Sequence, residues 1–232
     1  MNHDLNFGGR DFITAGDAAL FWPLHKALLV ADLHLEKASS YASYGQMLPP
    51  YDSLATLEEL SQLTAAFDVQ AVICLGDNFH DNAGEARLCG QAATLLRAMT
   101  AKLDWTWITG NHDPALMALW GGRSVIEQEL SGIMLRHQAE PDYNHAEISG
   151  HFHPKMRVPS RGRTIPRRCF VASNTKLIFP AFGALTGGMD AAEAAALAQP
   201  TLGLESAGLQ KAEALIVTPA RLARFALDLS FG

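Results

Sequence analysis

The sequence predicts an α/β fold in which two β-sheets pack together with helices outside. Three observations predict it. Apolar runs alternate with helical patterns through the first half, short strands with little helix between them fill the second half, and no linker divides the two. At 232 residues the chain suits one domain spanning 1–232, against a typical size of about 100–200 residues. Hydrophobic content of 48% supplies a core, and 18% charged residues are too few for a disordered or coiled-coil chain.

Each element has its own signal. ALLVAD (27–32) reads as a buried strand. Residues 52–67 place Leu54, Leu57, Leu60, Leu63 and Phe67 on one helical face, with Asp52 or Ser53 as N-cap. AVICLGD (71–77) is a second buried strand, and Leu88, Ala92, Leu95, Leu96 and Met99 mark a second helix. WTWITG (105–110) is a third strand, with a short helix expected from Pro114 to Trp120. That β-α-β-α-β order implies parallel neighbours in one sheet. GIMLRH, HAEISGH, RCFVAS and KLIFP then read as short strands. MDAAEAAALAQP reads as a helix capped near Asp190 and stopped by Pro200, and EALIVTPARLARFAL as two closing strands around Thr218–Pro219.

The totals also exclude classes of function. A net charge of −6 rules out a global basic field that would gather nucleic acid. Cys74, Cys89 and Cys169 form no CxxC pair and are expected as buried thiols in a reducing compartment. MNHDLNFGGRDF lacks the basic and apolar regions of a signal peptide. No apolar run approaches the roughly 18 residues that span a bilayer. The expectation is a soluble cytoplasmic protein with no membrane partner.

The chemistry sits in five polar clusters, each following an expected strand: Asp32-Leu33-His34; Gly76-Asp77 with Asn78, His80 and Asp81 behind it; Gly110-Asn111-His112-Asp113; His137; and Gly150-His151-Phe152-His153. Loops at strand ends are where α/β folds carry their sites. Carboxylate, imidazole and amide oxygen suit divalent ions such as Mn, Fe and Zn. Two aspartates, an asparagine and several histidines are too many for one ion and suit two that share a carboxylate. Residues two apart on an extended strand share a face, so D-x-H and H-x-H could each address one site or two adjacent ones. Singly, these clusters are weak: GD is a turn signal, and Asp113 could merely cap a helix. Their occurrence together and in order is what carries the reading.

This succession of D-x-H, GD, GNHD, H and GHxH resembles the calcineurin-like metallophosphoesterase superfamily. The words VADLHLEK, LPPYD, GDNFHD, TGNHDP, GHFHPK and FPAFGALTGG resemble one branch of it, the bacterial ligase-associated DNA damage response endonucleases. The resemblance spans about residues 27–188 and implies a four-layer αββα sandwich of two mixed sheets flanked by helices. It implies that Asp32, His34 and His153 hold one metal, that Asn111, His137 and His151 hold a second, and that Asp77 bridges both. Where the superfamily pattern has a carboxylate three residues after the bridging Asp, this chain has His80, followed by Asp81. Neither joins the ligand set; both are expected to support it from behind. Glu36 stands where many members have Gly, and either supports a ligand or faces solvent.

On this resemblance the reaction is phosphodiester hydrolysis by a water trapped between two ions about 3.5–4 Å apart, its pKa lowered toward ~7. Asn111 would be a neutral oxygen ligand. His112, free of metal, would stabilise the transition state and protonate the leaving oxygen, and Asp113 would fix its orientation and tautomer. Mn is the first expectation for the ions, with Fe, Zn or Ni as alternatives, since no thiolate takes part.

One segment departs from the acidic average. KMRVPSRGRTIPRR, residues 155–168, holds six of the chain's 18 basic residues and no acidic one. Pro159, Gly162 and Pro166 suggest a loop. Lys155, Arg157, Arg161 and Arg163 are the expected contacts to a nucleic-acid backbone, DNA first; the alternative is a solvated hairpin paired with surface carboxylates. Tyr41, Tyr44 and Phe152 could stack on a base, with packing the better expectation for Phe152. The leading reading is therefore a metal-dependent phosphodiesterase or endonuclease in a DNA-repair setting. By resemblance alone, its partners would include a repair ligase or helicase. The alternatives are a phosphoesterase for a small or cyclic nucleotide and a non-catalytic protein-binding scaffold.

Overall fold

A computed structural model describes residues 2–160, 162–199 and 211–229. The first sheet has seven strands in chain order: β1 (Asp4–Phe7), β2 (Arg10–Ala15), β3 (Ala19–Trp22), β4 (Ala27–Val30), β5 (Ala71–Leu75), β6 (Asp104–Ile108) and β7 (Arg123–Val125). The first four run antiparallel as a meander, and β4 to β7 run parallel. Helices α1 (Lys37–Ser43), α2 (Asp52–Ala66), α3 (Gly84–Arg87) and α4 (Gly90–Thr100) lie in the crossovers between β4, β5 and β6. A strand buried on both faces needs an unbroken apolar run, and β4 shows why. Its Leu28 and Val30 pack with Leu57, Leu60 and Leu96 of the helices, while Ala27 and Leu29 pack toward the other sheet.

The second sheet is built from β8 (Glu127–Leu130), β9 (Ile133–Arg136), β10 (Glu147–Ser149), β13 (Phe170–Ala172), β14 (Lys176–Ile178), β15 (Glu213–Val217) and β16 (Leu222–Ala226), in the order β16-β15-β13-β14-β10-β9-β8. It mixes parallel pairs (β9-β10 and β10-β14) with antiparallel ones. Phe12, Trp22, Leu29, Ile73 and Ile108 of the first sheet meet Ile133, Leu135, Ile148, Phe170 and Leu177 of the second in one central core. Helix α5 (Ala191–Leu197) covers the far face of the second sheet. The result is the expected αββα sandwich of two mixed sheets.

Several local expectations need correction. Pro114 to Trp120 is not helical: the Glu85 carboxylate accepts hydrogen bonds from the Met117 and Leu119 backbone N–H groups at 2.8 Å each, which holds the segment as a loop. Helix α2 is capped by Tyr51 without a side-chain bond, because Asp52 accepts from the Ala38 N–H and Ser53 accepts from the Glu36 N–H. The basic segment is no loop but an antiparallel ribbon of β11 (Lys155–Ser160) and β12 (Arg163–Arg168). Pro159 and Pro166 lie within its two strands, where a two-stranded ribbon leaves edge positions that need no N–H. Cys89 is exposed, whereas Cys74 and Cys169 are buried. The Asp190 cap holds, its side chain accepting from the Ala192 N–H; Pro200 and Arg161 lie outside the described residues. Among the described residues, no helix is long and apolar enough to cross a membrane.

Candidate metal centre

The five clusters leave the C-terminal ends of β4, β5, β6, β9 and β10 and meet where the two sheets converge. Backbone hydrogen bonds join them: Asp32 N–H donates to Gly76 O at 3.1 Å, His34 N–H to Asp77 O at 2.9 Å, and Gly150 N–H to His137 O at 2.8 Å. The expected extended backbone for D-x-H and H-x-H is not what the structure has. Asp32, His34, His151 and His153 all have positive φ, between 45° and 71°, as does Asp77 at 48°. Left-handed residues at alternate positions bring the paired side chains together. Non-Gly residues in such conformations cost of order 1–3 kcal/mol each and persist where surrounding structure enforces them.

Two groups of ligating atoms result, Asp32–His34–His153 and Asp77–His137–His151, the atoms of each within 4.8 Å of one another. His153 Nε2 is 3.3 Å from Asp32 Oδ1 and from His34 Nε2. In the second group, Asn111 Oδ1 is 3.0 Å from both His137 Nε2 and His151 Nδ1, which are 3.1 Å from each other. Asp77 stands between the groups, Oδ2 3.8 Å from His34 Nε2 and Oδ1 3.5 Å from His137 Nε2. All seven expected ligands are therefore together. Asp32 and Asp77 are almost fully buried, and Asn111 lies exposed at the mouth.

The donor chemistry fits cations. His137 Nδ1 lies 3.1 Å from the Leu75 carbonyl, which can only accept, so Nδ1 carries the proton. Its Nε2 is then a lone pair facing Asn111 Oδ1 and Asp77 Oδ1. Lone pairs aimed at one another are reconciled by a positive ion. Burial lowers the His34 pKa to about 3, which keeps that imidazole neutral and able to ligate. Burial and the neighbouring His137 lower His151 as well. Burial pushes the Asp32 carboxyl up, but the hydrogen bond and charge of His153, with His137 and His34, outweigh it and leave Asp32 low. Asp77 is raised, chiefly by burial.

His112 is half-buried beside these groups, and its orientation has an unexpected source. Its Nδ1–H donates to the His80 backbone carbonyl at 2.9 Å, and its ring stacks on the His80 ring. Asp113 does not orient it. The Asp113 carboxylate, 1% exposed, accepts four hydrogen bonds: from Gly110 N–H at 2.8 Å on Oδ1, and from Asn78 N–H, Asn78 Nδ2–H and Phe79 N–H at 2.8, 2.9 and 3.1 Å on Oδ2. It thus ties the loop that carries Asp77 to the loop that carries Asn111 and His112. No residue type signals a backbone carbonyl, so the role of His80 was invisible in the sequence. Asp81 pairs with Arg87 at 2.8 Å, which overrides burial and lowers its pKa to about 2. Glu36 neither ligates nor faces open solvent; its carboxylate accepts from Ser39 Oγ at 2.6 Å and Ser53 Oγ at 2.9 Å, joining α1 to α2.

The ribbon separates the basic candidates. Its register puts Lys155, Arg157 and Arg168 on one face and Arg163 and Arg167 on the other. Met156 and Val158, on the second face, pack against the apolar layer between α5 and the second sheet. Lys155 Nζ donates to Thr186 O at 3.1 Å, and Arg168 Nη2 to Gly183 O at 2.9 Å. Those carbonyls belong to a loop bonded to the metal centre through Gly183 N–H to Asp32 O at 3.1 Å. The face bearing Lys155, Arg157 and Arg168 therefore adjoins the site; Arg168, at the end of the basic run, was not among the expected contacts. Phe152 is buried, Tyr44 exposed, and Tyr41 packs its ring on His80, centroids 5.5 Å apart.

Comparisons with known proteins find a family and similar structures. Residues 25–169 match the family model described as calcineurin-like phosphoesterase. A crystal structure of Pseudomonas putida nuclease MPE is similar, with 28% identity, a TM-score of 0.68, and coverage of 92% of this chain and 96% of that one. Yfce, a phosphoesterase from E. coli, is 12% identical with a TM-score of 0.40, covering 87% of this chain and 99% of that one. No curated protein matches.

Proposed function

The chain belongs to the calcineurin-like phosphoesterase family and is a phosphoester hydrolase, and from that premise we propose that it is a nuclease that cuts phosphodiester backbones with two divalent cations. One observation carries the proposal: the buried Asp77 carboxylate turns one oxygen to each of two convergent ligand groups. Asp32, His34 and His153 would hold one ion, Asn111, His137 and His151 the other, and Asp77 both. When bound, such ions polarise phosphoryl oxygens and lower the pKa of water. The reading takes 1–232 as one domain, since the ligands come from both sheets.

The chain's own residues do the rest. The His151 N–H donates to both oxygens of Asp32, at 3.2 and 3.0 Å, and the His112 N–H to Asp77 Oδ1 at 2.9 Å, so both carboxylates are held before any ion arrives. With Nδ1–H bound to the His80 carbonyl, His112 has Nε2 left for chemistry. Hydrolysis joins a water oxygen to phosphorus, the water giving one proton to solvent, and breaks the bond to the leaving oxygen, which takes its proton from the protonated Nε2 of His112. Lys155 and Arg157 would neutralise neighbouring phosphates, with Arg168 beside them; Arg163, expected to join them, stands on the ribbon's other face.

The similarity to a nuclease supports nucleic acid as the substrate class. The reading extends to DNA, to manganese, to the cytoplasm, and to repair beside a ligase or helicase; its support there is the motif wording and the O and N donor set. The test is an assay with added Mn on an aryl phosphodiester and a labelled single-stranded DNA, at low and moderate salt, with His112→Ala as control. Cleavage of both substrates, with DNA cleavage falling as salt rises, is the expected result. His112→Ala should lose roughly 10²–10⁴ in rate while keeping its metals. Cleavage of the aryl diester alone moves the substrate to a small molecule. No cleavage with any metal removes the enzymatic reading.

A further inference from the structure

A third group of ring nitrogens lies beside the two described. One nitrogen from each of His34, His80 and His112 lies within 4.8 Å of the other two. The His80 and His112 rings stack, centroids 4.9 Å apart and planes at 24°. The His34 ring stands edge-on to both, at 5.5 and 5.0 Å. Its Nδ1 faces His80 Nδ1 at 3.5 Å, while its Nε2 faces His153 Nε2 at 3.3 Å. His34 is thus the shared wall of two candidate sites, one on each edge of its ring.

We propose that His34, His80 and His112 form an inhibitory cation site that takes Zn²⁺, Cu²⁺ or Ni²⁺ in preference to Mn²⁺. The proposal rests on the roles given above to His34 and His112. The donor sets differ in kind. The two working groups mix carboxylate or amide oxygen with imidazole, whereas this one is imidazole alone. Imidazole suits Zn, Cu and Ni, and Mn stands at the weak end of the affinity order for such ligands. Three imidazoles suffice to hold Zn with one position left for solvent.

Occupancy would stop the reaction in two ways. A neutral imidazole has one lone pair, so an ion on His34 Nδ1 takes that ring away from Asp32 and His153. The same ion ties up His112, the group assigned to the leaving oxygen's proton. His80, which the two-ion reading leaves unused as a side chain, gains a role. The rival is plain: zinc replaces manganese at the Asp32 group and His80 has no part.

The test loads the full-length protein with Mn²⁺, titrates Zn²⁺, and follows released aqueous Mn²⁺ by electron paramagnetic resonance. Manganese retention before zinc is added tests the two-ion reading separately. His80→Asn keeps the backbone carbonyl that orients His112 but removes one imidazole. It should need roughly tenfold more zinc, or beyond, to release the same manganese, since even the loss of a supporting partner costs a metal site 10–100-fold in affinity. Equal zinc requirements in both proteins would overturn the proposal. A second measurement needs no variant: X-ray absorption of the wild type with one equivalent of Zn²⁺. Three imidazoles and no carboxylate around zinc supports the site; carboxylates beside two imidazoles refute it.

Discussion

Asp113→Asn separates two accounts of the GNHD turn. In one, the carboxylate orients the His112 ring; in the other, which the structure favours, it joins two loops. Three N–H groups converge on Oδ2 and one on Oδ1, all within 3.1 Å. An amide has one carbonyl oxygen. Placing it where three donors meet turns the NH₂ against the Gly110 N–H, donor facing donor. A hydrogen bond to a charged group contributes about 1.5–3 kcal/mol, and an orphaned buried donor costs about 1–3 kcal/mol. The three surviving bonds fall to roughly half strength once their acceptor is neutral. Neutralising a buried carboxylate returns some of its desolvation cost, which brings the net destabilisation to about 2–4 kcal/mol. Urea unfolding of both proteins measures it as a lower midpoint at unchanged slope. Metal affinity should fall with stability, because the two joined loops carry Asp77 and Asn111. An unchanged midpoint with a loss of about 10⁴ in kcat, the signature of a lost imidazole orienter, would refute the reasoning.

Three further outcomes are expected. Asp77→Asn should lower occupancy at both metal groups together, since each oxygen faces a different group; elemental analysis that finds only one ion lost would reject the sharing. Gly110→Ala should cut metal affinity even if the protein folds, because a Cβ there overlaps the Asp77 backbone nitrogen and carboxylate and lies 2.9 Å from its Cγ; overpacking of this kind costs about 1–3 kcal/mol. Arg157→Gln should weaken DNA binding and flatten the log affinity against log salt slope by about 0.7–0.9, leaving the aryl diester unaffected. An unchanged slope would make the ribbon an ordinary surface.

The grouping of the candidate residues was legible because they are residue types in a fixed order after strands, and strands buried on both faces announce themselves as unbroken apolar runs. What failed to show was set by contacts distant in sequence. The 114–120 segment has a helical pattern, but Glu85, some 30 residues earlier, captures its amides. The ribbon's prolines read as loop signals because a sequence does not reveal that a two-stranded sheet has free edges. In the meander β1–β3 only β1 alternates, exposed-buried-exposed-buried, while β3 is buried throughout, and these strands are too short for period alone to decide. Asp113 was expected to orient its neighbour because the two adjoin in sequence. A carboxylate with four converging N–H donors is instead already saturated.

That saturation explains how the strained loops persist. Five of the seven expected ligands sit at positive φ, an arrangement that a free loop would relax. Here Asp32, His34, Asp77 and His151 are fastened across the site rather than along their own chain segments. Asp32 and His34 donate to the Gly76 and Asp77 carbonyls, Asp32 O accepts from Gly183, and the His151 N–H is held by Asp32. The loops of the first sheet are thus fixed to one another and to those of the second, with Asp113 behind them. Relaxing any one of these four would break a hydrogen bond to another loop, at about 1–3 kcal/mol for the group left unpaired, which matches the strain of a left-handed residue. The positions of the expected ligands are therefore a property of the two sheets together. That is why a second-sheet residue, His151, can set the geometry of a first-sheet carboxylate.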